Sequence, residues 1–290
     1  MTMTVEVRPA EVVAFIRRRP LTSFFLWLFT VGQAFAFAPV VLLWTTGVQV
    51  PYWQVFVLGS TLVGMLLPAV VITRIVDGPA AVRELRRRAF AVRVPLRWYA
   101  LAVFAAPLLA TALTMLVAGP PDASQIGSAL VSGLLLQLVL TFVPNNWWEE
   151  VAWSGFAQAR LQERYGSAVK AALVAGPLFA LQHISLAVAA GWPTGAVMMG
   201  LLILVTIPFR FLTGWAYNRT ASLFLVGLVH AMGNVVAGGS GFGSGFLPRL
   251  YPDQGMLVGL AHLVAFALIG LVVLAATRGR LGLRTSEAVR

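Results

Sequence analysis

The chain has 290 residues, of which 59% are hydrophobic and only 11% are charged. A soluble domain carries about 25% charged residues, so this composition could not cover the surface of a water-soluble fold of this size. The mean hydropathy is +0.85. One membrane-spanning helix takes about 20 apolar residues. The composition therefore predicts an all-α bundle of about eight transmembrane helices, and it excludes disorder, a coiled coil and a secreted disulfide scaffold.

The predicted spans are long apolar runs separated by turn-rich segments such as Gly191-Trp192-Pro193. In chain order the runs cover residues 21–46, 53–76, 98–118, 127–148, 167–190, 195–217, 220–238 and 256–276. The first run follows three arginines, as in a signal peptide, but it is too long for the apolar region of a signal peptide. We interpret it as the first span.

The net charge is +11, and the distribution of the basic residues predicts how the bundle is oriented in the membrane. Eight spans put both termini on one side, and with that side cytoplasmic every basic residue except Arg249 falls in an inner segment, including Arg210 and Arg219. Cytoplasmic loops of membrane proteins are enriched in Arg and Lys. The pattern predicts one multi-pass domain over residues 1–290, in the cytoplasmic membrane with both termini inside. Topology accounts for the basic residues, so we expect the lipid bilayer and no nucleic acid as a partner.

Few polar side chains are left within the apolar runs. Of the ten acids, only Glu149 and Glu150 lie outside predicted loops and tails, at the inner end of the fourth run. His183 lies in the fifth run, and His230 in the seventh is followed at i+4 by Asn234, on the same helix face. Ionisable groups at membrane depth are costly and are usually functional. We therefore expect these five side chains to converge.

Such a set has a limited range of chemical uses. A glutamate helped by a histidine could take a proton from water, and a histidine with an amide could donate hydrogen bonds to a tetrahedral oxyanion. Together these steps hydrolyse an amide without a covalent intermediate. The same residues could instead bind a metal or relay protons in a transporter. We expect no metal and no other cofactor, because water activated by a carboxylate does not need one.

Three motifs in these runs carry a resemblance to a known family. They read Glu149-Glu150-x-x-x-Ser154, Phe179-x-x-x-His183 and His230-x-x-x-Asn234. Their order and spacing resemble the motifs of the CPBP intramembrane proteases, the group of CAAX proteases and bacteriocin-processing proteins also called the Abi family. The resemblance covers about residues 125–240, which we interpret as the catalytic core.

The resemblance implies a fold, an activity and a role for each residue. The fold is an eight-helix bundle with a cavity open toward the cytoplasm and the bilayer. Glu149 is the general base for water, His183 holds and polarises that water, His230 and Asn234 form the oxyanion hole, and Glu150 supports the site. The activity is that of a glutamic intramembrane endopeptidase. Its partner is a membrane-associated peptide or protein substrate, lipidated or membrane-tethered, cleaved near the cytoplasmic face.

Two positions depart from the family pattern. The family's first motif ends in arginine where this chain has Ser154, and Gln182 stands where an aromatic residue is common. Arginine makes paired hydrogen bonds to carboxylates and serine cannot, so we expect Glu150 to be protonated or to turn to another partner. Ser154→Arg should raise the activity if the serine weakens the enzyme. The departure also supports an alternative, a catalytically inactive scaffold or bacteriocin immunity protein that binds membrane peptides.

Overall fold

The computed structural model describes residues 9–238 and 243–283, and within these ranges no residue belongs to a β-strand. The helices in chain order are α1 (Pro9–Arg18), α2 (Pro20–Thr46), α3 (Gln54–Ala89), α4 (Leu96–Ala118), α5 (Ala123–Tyr165), α6 (Ala168–Leu181), α7 (Ile184–Ala189), α8 (Thr194–Thr220), α9 (Leu223–Ala237), α10 (Phe246–Leu250) and α11 (Gly255–Ala276).

The long helices agree with the predicted spans. Among the described residues six helices are long and apolar enough to cross a membrane, namely α2, α3, α4, α5, α8 and α11. The shorter apolar helices α6 and α9 coincide with the fifth and seventh runs. The predicted all-α polytopic bundle is confirmed, and the protein is a multi-pass membrane protein. The fifth run is interrupted at Gln182 and His183, where α6 ends and α7 begins.

The arginine-rich segments collect at one end of the bundle, which we call the arginine end. It comprises residues 77–97, 160–170, 217–222 and 277–283. Arg160 forms an ion pair with Asp77 across this end, and Arg88 Nη1 donates to the hydroxyl of Tyr217 at 2.9 Å. The opposite end holds the connections at residues 47–53, 119–122, 190–193 and 243–254. The two ends correspond to the two sets of loops that the spans predict.

Helix α3 changes direction before it reaches Ala89. Gly78 has φ 83°, a conformation that glycine adopts without strain, and Pro79 follows it. The segment 79–89 then packs against α5, where Trp147 Nε1 donates to the carbonyl of Ala89 at 2.8 Å. The segment therefore covers α5 from the arginine end.

Arg210 corrects one part of the predicted topology. The charge count assigns it to an inner segment although it lies within the sixth run, residues 195–217. In the structure α8 continues to Thr220, and the Arg210 side chain is fully buried inside the bundle. Only Arg219 of this pair lies at the arginine end. The predicted inner residues Arg8, Arg284 and Arg290 lie outside the described residues.

Helices α6 and α8 pack closely at Gly176, and this packing generates a first prediction. A Cβ on Gly176 would lie 2.8 Å from the Cα of Ile207, whereas a Cβ on Gly200 in α8 would meet open space. Gly176→Ala should lower the free energy of unfolding by about 1–3 kcal/mol through overpacking. Gly200→Ala should raise it by about 0.5–1 kcal/mol, because alanine favours helices. Thermal unfolding in detergent measures both, and equal effects of the two substitutions would contradict the packing.

Candidate active site

The structure brings together the five side chains that the sequence singles out. Glu149 and Glu150 come from α5, His183 from the turn between α6 and α7, and His230 and Asn234 from α9. His230 Nδ1 lies 3.0 Å from Glu150 Oε1 and 3.7 Å from Glu149 Oε2. The two glutamates and His230 therefore form one cluster, Asn234 joins it through Asn146, and His183 lines the same cavity as Glu149.

Two π-helical turns in α5 flank the consecutive glutamates, and both glutamate side chains are buried in the bundle. Helix α5 has π-helical turns at Phe142–Asn146 and Trp153–Gln158, on either side of the regular turns Trp147–Ala152. A π-helical turn changes the register of the side chains that follow it, and such turns are frequent at functional sites. Both Glu149 and Glu150 are buried as a result.

Glu149 is held by two neutral amides. Asn146 Nδ2 donates to Glu149 Oε2 at 3.0 Å, and Gln182 Nε2 donates to Oε1 at 2.9 Å. The other atom of the Gln182 amide, Oε1, accepts from Trp153 Nε1 at 2.5 Å. An ionised carboxylate has about four acceptor positions, so Glu149 is fixed in orientation and keeps lone pairs for a further donor.

Glu150 is held by a cation instead. Arg210 Nη1 donates to Glu150 Oε2 at 2.9 Å and Nη2 donates to Oε1 at 3.1 Å, with both side chains 0% exposed. Ser154 Oγ also donates to Oε2, at 2.5 Å. Paired hydrogen bonds from one guanidinium are among the strongest contacts that a carboxylate makes. Of the two expected outcomes at the Ser154 position, the structure shows the second: Glu150 turns to another partner.

Aromatic rings enclose the Arg210 guanidinium. Its Cζ lies 4.0 Å from the ring centroid of Phe179, 5.2 Å from that of Phe209 and 5.4 Å from that of Trp153. A cation over an aromatic face is attracted by the ring quadrupole, more strongly when water is excluded. Sequence reasoning missed Arg210 because an arginine near the end of an apolar run has the appearance of a topology signal.

Asn146 connects the remaining groups. Its Nδ2 lies 3.4 Å from His230 Nε2, and its Oδ1 accepts from Asn234 Nδ2 at 3.2 Å. A carboxylate only accepts, so His230 Nδ1 carries the hydrogen toward Glu150, and in the neutral ring Nε2 accepts from Asn146. Asn146 therefore joins Glu149, His230 and Asn234. Its position three residues before Glu149, on the same helix face, is the signal that could have found it.

His183 is oriented by the main chain. Its Nδ1 lies 3.1 Å from the carbonyl oxygen of Phe179. A carbonyl only accepts, so Nδ1 carries the hydrogen, and in the neutral ring Nε2 has the lone pair. His183 can therefore accept a proton or a hydrogen bond through Nε2.

A cavity of about 540 Å³ meets the site. Glu149, Gln182, His183 and Asn234 are among its lining residues, whereas Glu150 and His230 are not. The predicted residues thus separate into two groups. Glu149, His183 and Asn234 face the cavity, and Glu150 and His230 stand behind them with Arg210.

These features define a class of protein: a multi-pass helical membrane protein with a buried cluster of carboxylates, imidazoles and amides beside a cavity. Residues 131–236 match the family described as type II CAAX prenyl endopeptidase Rce1-like. Over these residues the match confirms the resemblance to the CPBP/CAAX proteases that the three motifs carry. It also lies within the predicted core 125–240 and includes Arg210. No curated protein sequence matches the chain.

The Glu150–Arg210 pair generates a second prediction, which replaces the expectation that Ser154→Arg raises activity. Ser154 is 1% exposed and its Oγ lies 3.4 Å from Arg210 Nη1, so a second guanidinium has neither space nor a counter-charge. Ser154→Arg should lower the free energy of unfolding by about 3–5 kcal/mol, the range for disrupting a buried ion pair. The double variant Ser154→Arg/Arg210→Ser should regain part of the loss, because one arginine again faces Glu150.

Thermal unfolding in detergent measures these variants. The matched control is Arg219→Ser, which removes an exposed arginine from the same helix and should leave the transition unchanged within about 0.5 kcal/mol. Two results would contradict the conclusion that only one arginine fits beside Glu150. One is a Ser154→Arg variant as stable as the parent, and the other is a double variant no more stable than Ser154→Arg alone.

Proposed function

We propose that this protein is an intramembrane glutamic peptidase that hydrolyses a peptide bond with water activated by Glu149. The observation that carries the proposal is that Glu149, His183 and Asn234 face one cavity while the charges of Glu150 and Arg210 balance each other behind it. We infer that the substrates are membrane-tethered or lipidated polypeptides, in agreement with the matched family's description as prenyl endopeptidases.

The first step forms the tetrahedral intermediate. A water molecule between Glu149 and His183 gives a proton to the Glu149 carboxylate while its oxygen attacks the peptide carbonyl carbon. The Nε2 lone pair of His183 accepts the other O–H and aligns the attack. The amides of Asn146 and Gln182 keep the Glu149 carboxylate in one orientation throughout. The proton held by Glu149 then passes to the leaving nitrogen as the C–N bond breaks.

The oxyanion of that intermediate needs hydrogen-bond donors. Asn234 uses one amide hydrogen on Asn146, so its second amide hydrogen is available to an oxygen in the cavity. His230 could donate through Nε2 only when it carries a second proton, and the Glu150 carboxylate at 3.0 Å would then be its counter-ion. Donors fixed in advance in a site that excludes water stabilise such an anion strongly.

The contacts of Glu150 favour an enzyme over the inactive alternative. An inactive scaffold or immunity protein is supported mainly by the missing arginine at position 154. Arg210 supplies a guanidinium to the same carboxylate from α8. The charge that the motif arginine would provide is therefore present, and the departure at Ser154 no longer argues for loss of activity.

Removal of the proposed base is the direct test. Glu149→Gln should lower kcat for a membrane-tethered or prenylated peptide by about 10²–10⁴-fold, because an amide cannot take the proton from water. The matched control is Glu163→Gln, an exposed acid of the same helix, which should retain the parental rate. Equal unfolding temperatures would show that both variants are folded. A Glu149→Gln variant that turns over at the parental rate would contradict the mechanism.

Chelation tests the expectation that no metal takes part. Within residues 9–238 and 243–283 no three His, Cys, Asp or Glu side chains are grouped as metal ligands. In the proposed steps Glu149 takes the proton without a Lewis acid, so prolonged dialysis against EDTA should leave kcat unchanged within about twofold. Activity that disappears on dialysis and returns with added zinc would contradict this expectation.

A further inference from the structure

Two arginines at the arginine end differ from the ion-paired arginines around them. Glu84 binds two arginines of its own helix, and Arg160 forms an ion pair with Asp77. Arg97 and Arg219 form no ion pair with any acid in the part of the chain that the structure describes. Both arginines line one small pocket. Their positive charges are therefore available to a bound anion.

This pocket, which we call the arginine-end pocket, lies where three segments meet. Its lining residues are Arg97 and Trp98 from the first turn of α4, Asn218 and Arg219 from the last turn of α8, and Gly282 from the segment that follows α11. Its volume is about 180 Å³, which is roughly six times the share of one water molecule in the liquid. A group of the size of phosphate therefore fits in the pocket.

Contacts around the pocket hold these segments together. Trp98 is only 8% exposed, and its ring centroid lies 4.7 Å from that of Trp215, so α4 packs against α8 at this point. Asn218 Nδ2 donates to the carbonyl of Leu281 at 2.9 Å, and the Leu281 side chain is fully buried. The walls of the pocket are therefore fixed by packing within the chain itself.

The Arg219 side chain is positioned by the main chain at Gly282. A Cβ on Gly282 would lie 2.7 Å from Arg219 Cδ and 2.8 Å from Arg219 Cγ, so the arginine stem lies directly on the glycine. The residue is nevertheless exposed. Long basic side chains commonly cover apolar surface with their stems and keep the charged group in water. The exposed part of Arg219 is therefore its guanidinium group.

Two guanidinium groups beside one pocket indicate an anion with several oxygen atoms. The planar guanidinium matches the oxygens of phosphate and makes paired hydrogen bonds to them. Asn218 uses one amide hydrogen on Leu281, so its second one is available to the same ligand. Of the described residues, none that lines the pocket carries a negative charge that would compete with the anion.

The pocket also lies where lipid phosphates are found. Helix α4 is long and apolar enough to cross a membrane, and Arg97 and Trp98 belong to its first turn. Tryptophan is enriched at the level of the lipid headgroups, and arginines beside the membrane attract anionic lipids. A phosphate group can therefore reach the pocket from a headgroup as well as from water.

We propose that the arginine-end pocket binds a phosphate group, carried by an anionic lipid headgroup or by a free phosphate ion. The guanidinium groups of Arg97 and Arg219 bind its oxygens, and Asn218 donates one further hydrogen bond. The bound group joins α4, α8 and the segment after α11. This site does not depend on the proposed peptidase function.

Thermal unfolding of the full chain in detergent tests the proposal, because a ligand that binds the folded state raises the unfolding temperature. Three probes are compared at equal ionic strength: short-chain phosphatidylglycerol, diacylglycerol with the same acyl chains but no phosphate, and sodium phosphate. We expect phosphatidylglycerol to raise the unfolding temperature and diacylglycerol to leave it unchanged. A response to sodium phosphate would show that the phosphate group alone is sufficient, and its absence would assign the site to the lipid headgroup. No response to either phosphate-containing probe would overturn the proposal.

Variants assign the response to the pocket. Hydrogen bonds to a charged group are strong enough that Arg97→Gln and Arg219→Gln should each raise the Kd of the responding probe at least about tenfold. The matched control is Arg86→Gln/Arg93→Gln, which removes two exposed arginines of the same end that do not line the pocket. The control should keep the parental Kd.

Unfolding temperatures without any probe show whether the variants are folded. Arg97 is exposed, so Arg97→Gln tests the site even if the contact of Arg219 with Gly282 proves necessary for folding. A parental Kd in Arg97→Gln would overturn the assignment to this pocket. An equal increase of Kd in Arg86→Gln/Arg93→Gln would overturn it as well, because the binding would then follow total charge.

Discussion

The ion pair between Glu150 and Arg210 is the interaction on which the rest of the site depends. Both side chains are fully buried, and a carboxylate taken out of water is tolerated only when a partner and hydrogen bonds replace its hydration. That requirement brings α5 against α8. It also limits position 154 to a small residue, because Arg210 occupies the space next to Ser154 Oγ. Helix α6 also packs closely on α8, at Gly176.

From this pair a chain of hydrogen bonds reaches the cavity. Glu150 accepts a hydrogen bond from His230 Nδ1, and His230 Nε2 lies within hydrogen-bond distance of Asn146 Nδ2. The same Asn146 amide group donates to Glu149. The two glutamates therefore have different surroundings although they are adjacent in sequence. Glu150 receives paired hydrogen bonds from a guanidinium, whereas Glu149 receives hydrogen bonds from two neutral amides. Two carboxylates in contrasting environments are a common basis for dividing structural and acid–base roles.

The sequence predicts those parts of the fold and site that depend on local pattern. Apolar runs and turn residues indicate the six long helices and the shorter apolar helices α6 and α9, and i,i+4 spacing places His230 and Asn234 on one face. Arg210 and Gln182 escape such reasoning because their partners lie 60 and 33 residues away, across helices whose contacts no local pattern specifies. The charge pattern even conceals Arg210, because arginines at span ends usually report topology.

The two residues that depart from the family motifs each donate a hydrogen bond to one of the glutamates. Ser154 donates to Glu150 and Gln182 donates to Glu149. These bonds add to those from Arg210 and His230 on Glu150 and from Asn146 on Glu149, and each hydrogen bond to a charged group contributes about 1.5–3 kcal/mol. The proposed hydrolysis consumes water, so the cavity that contacts Glu149 must admit water as well as substrate, beside the amides that orient Glu149.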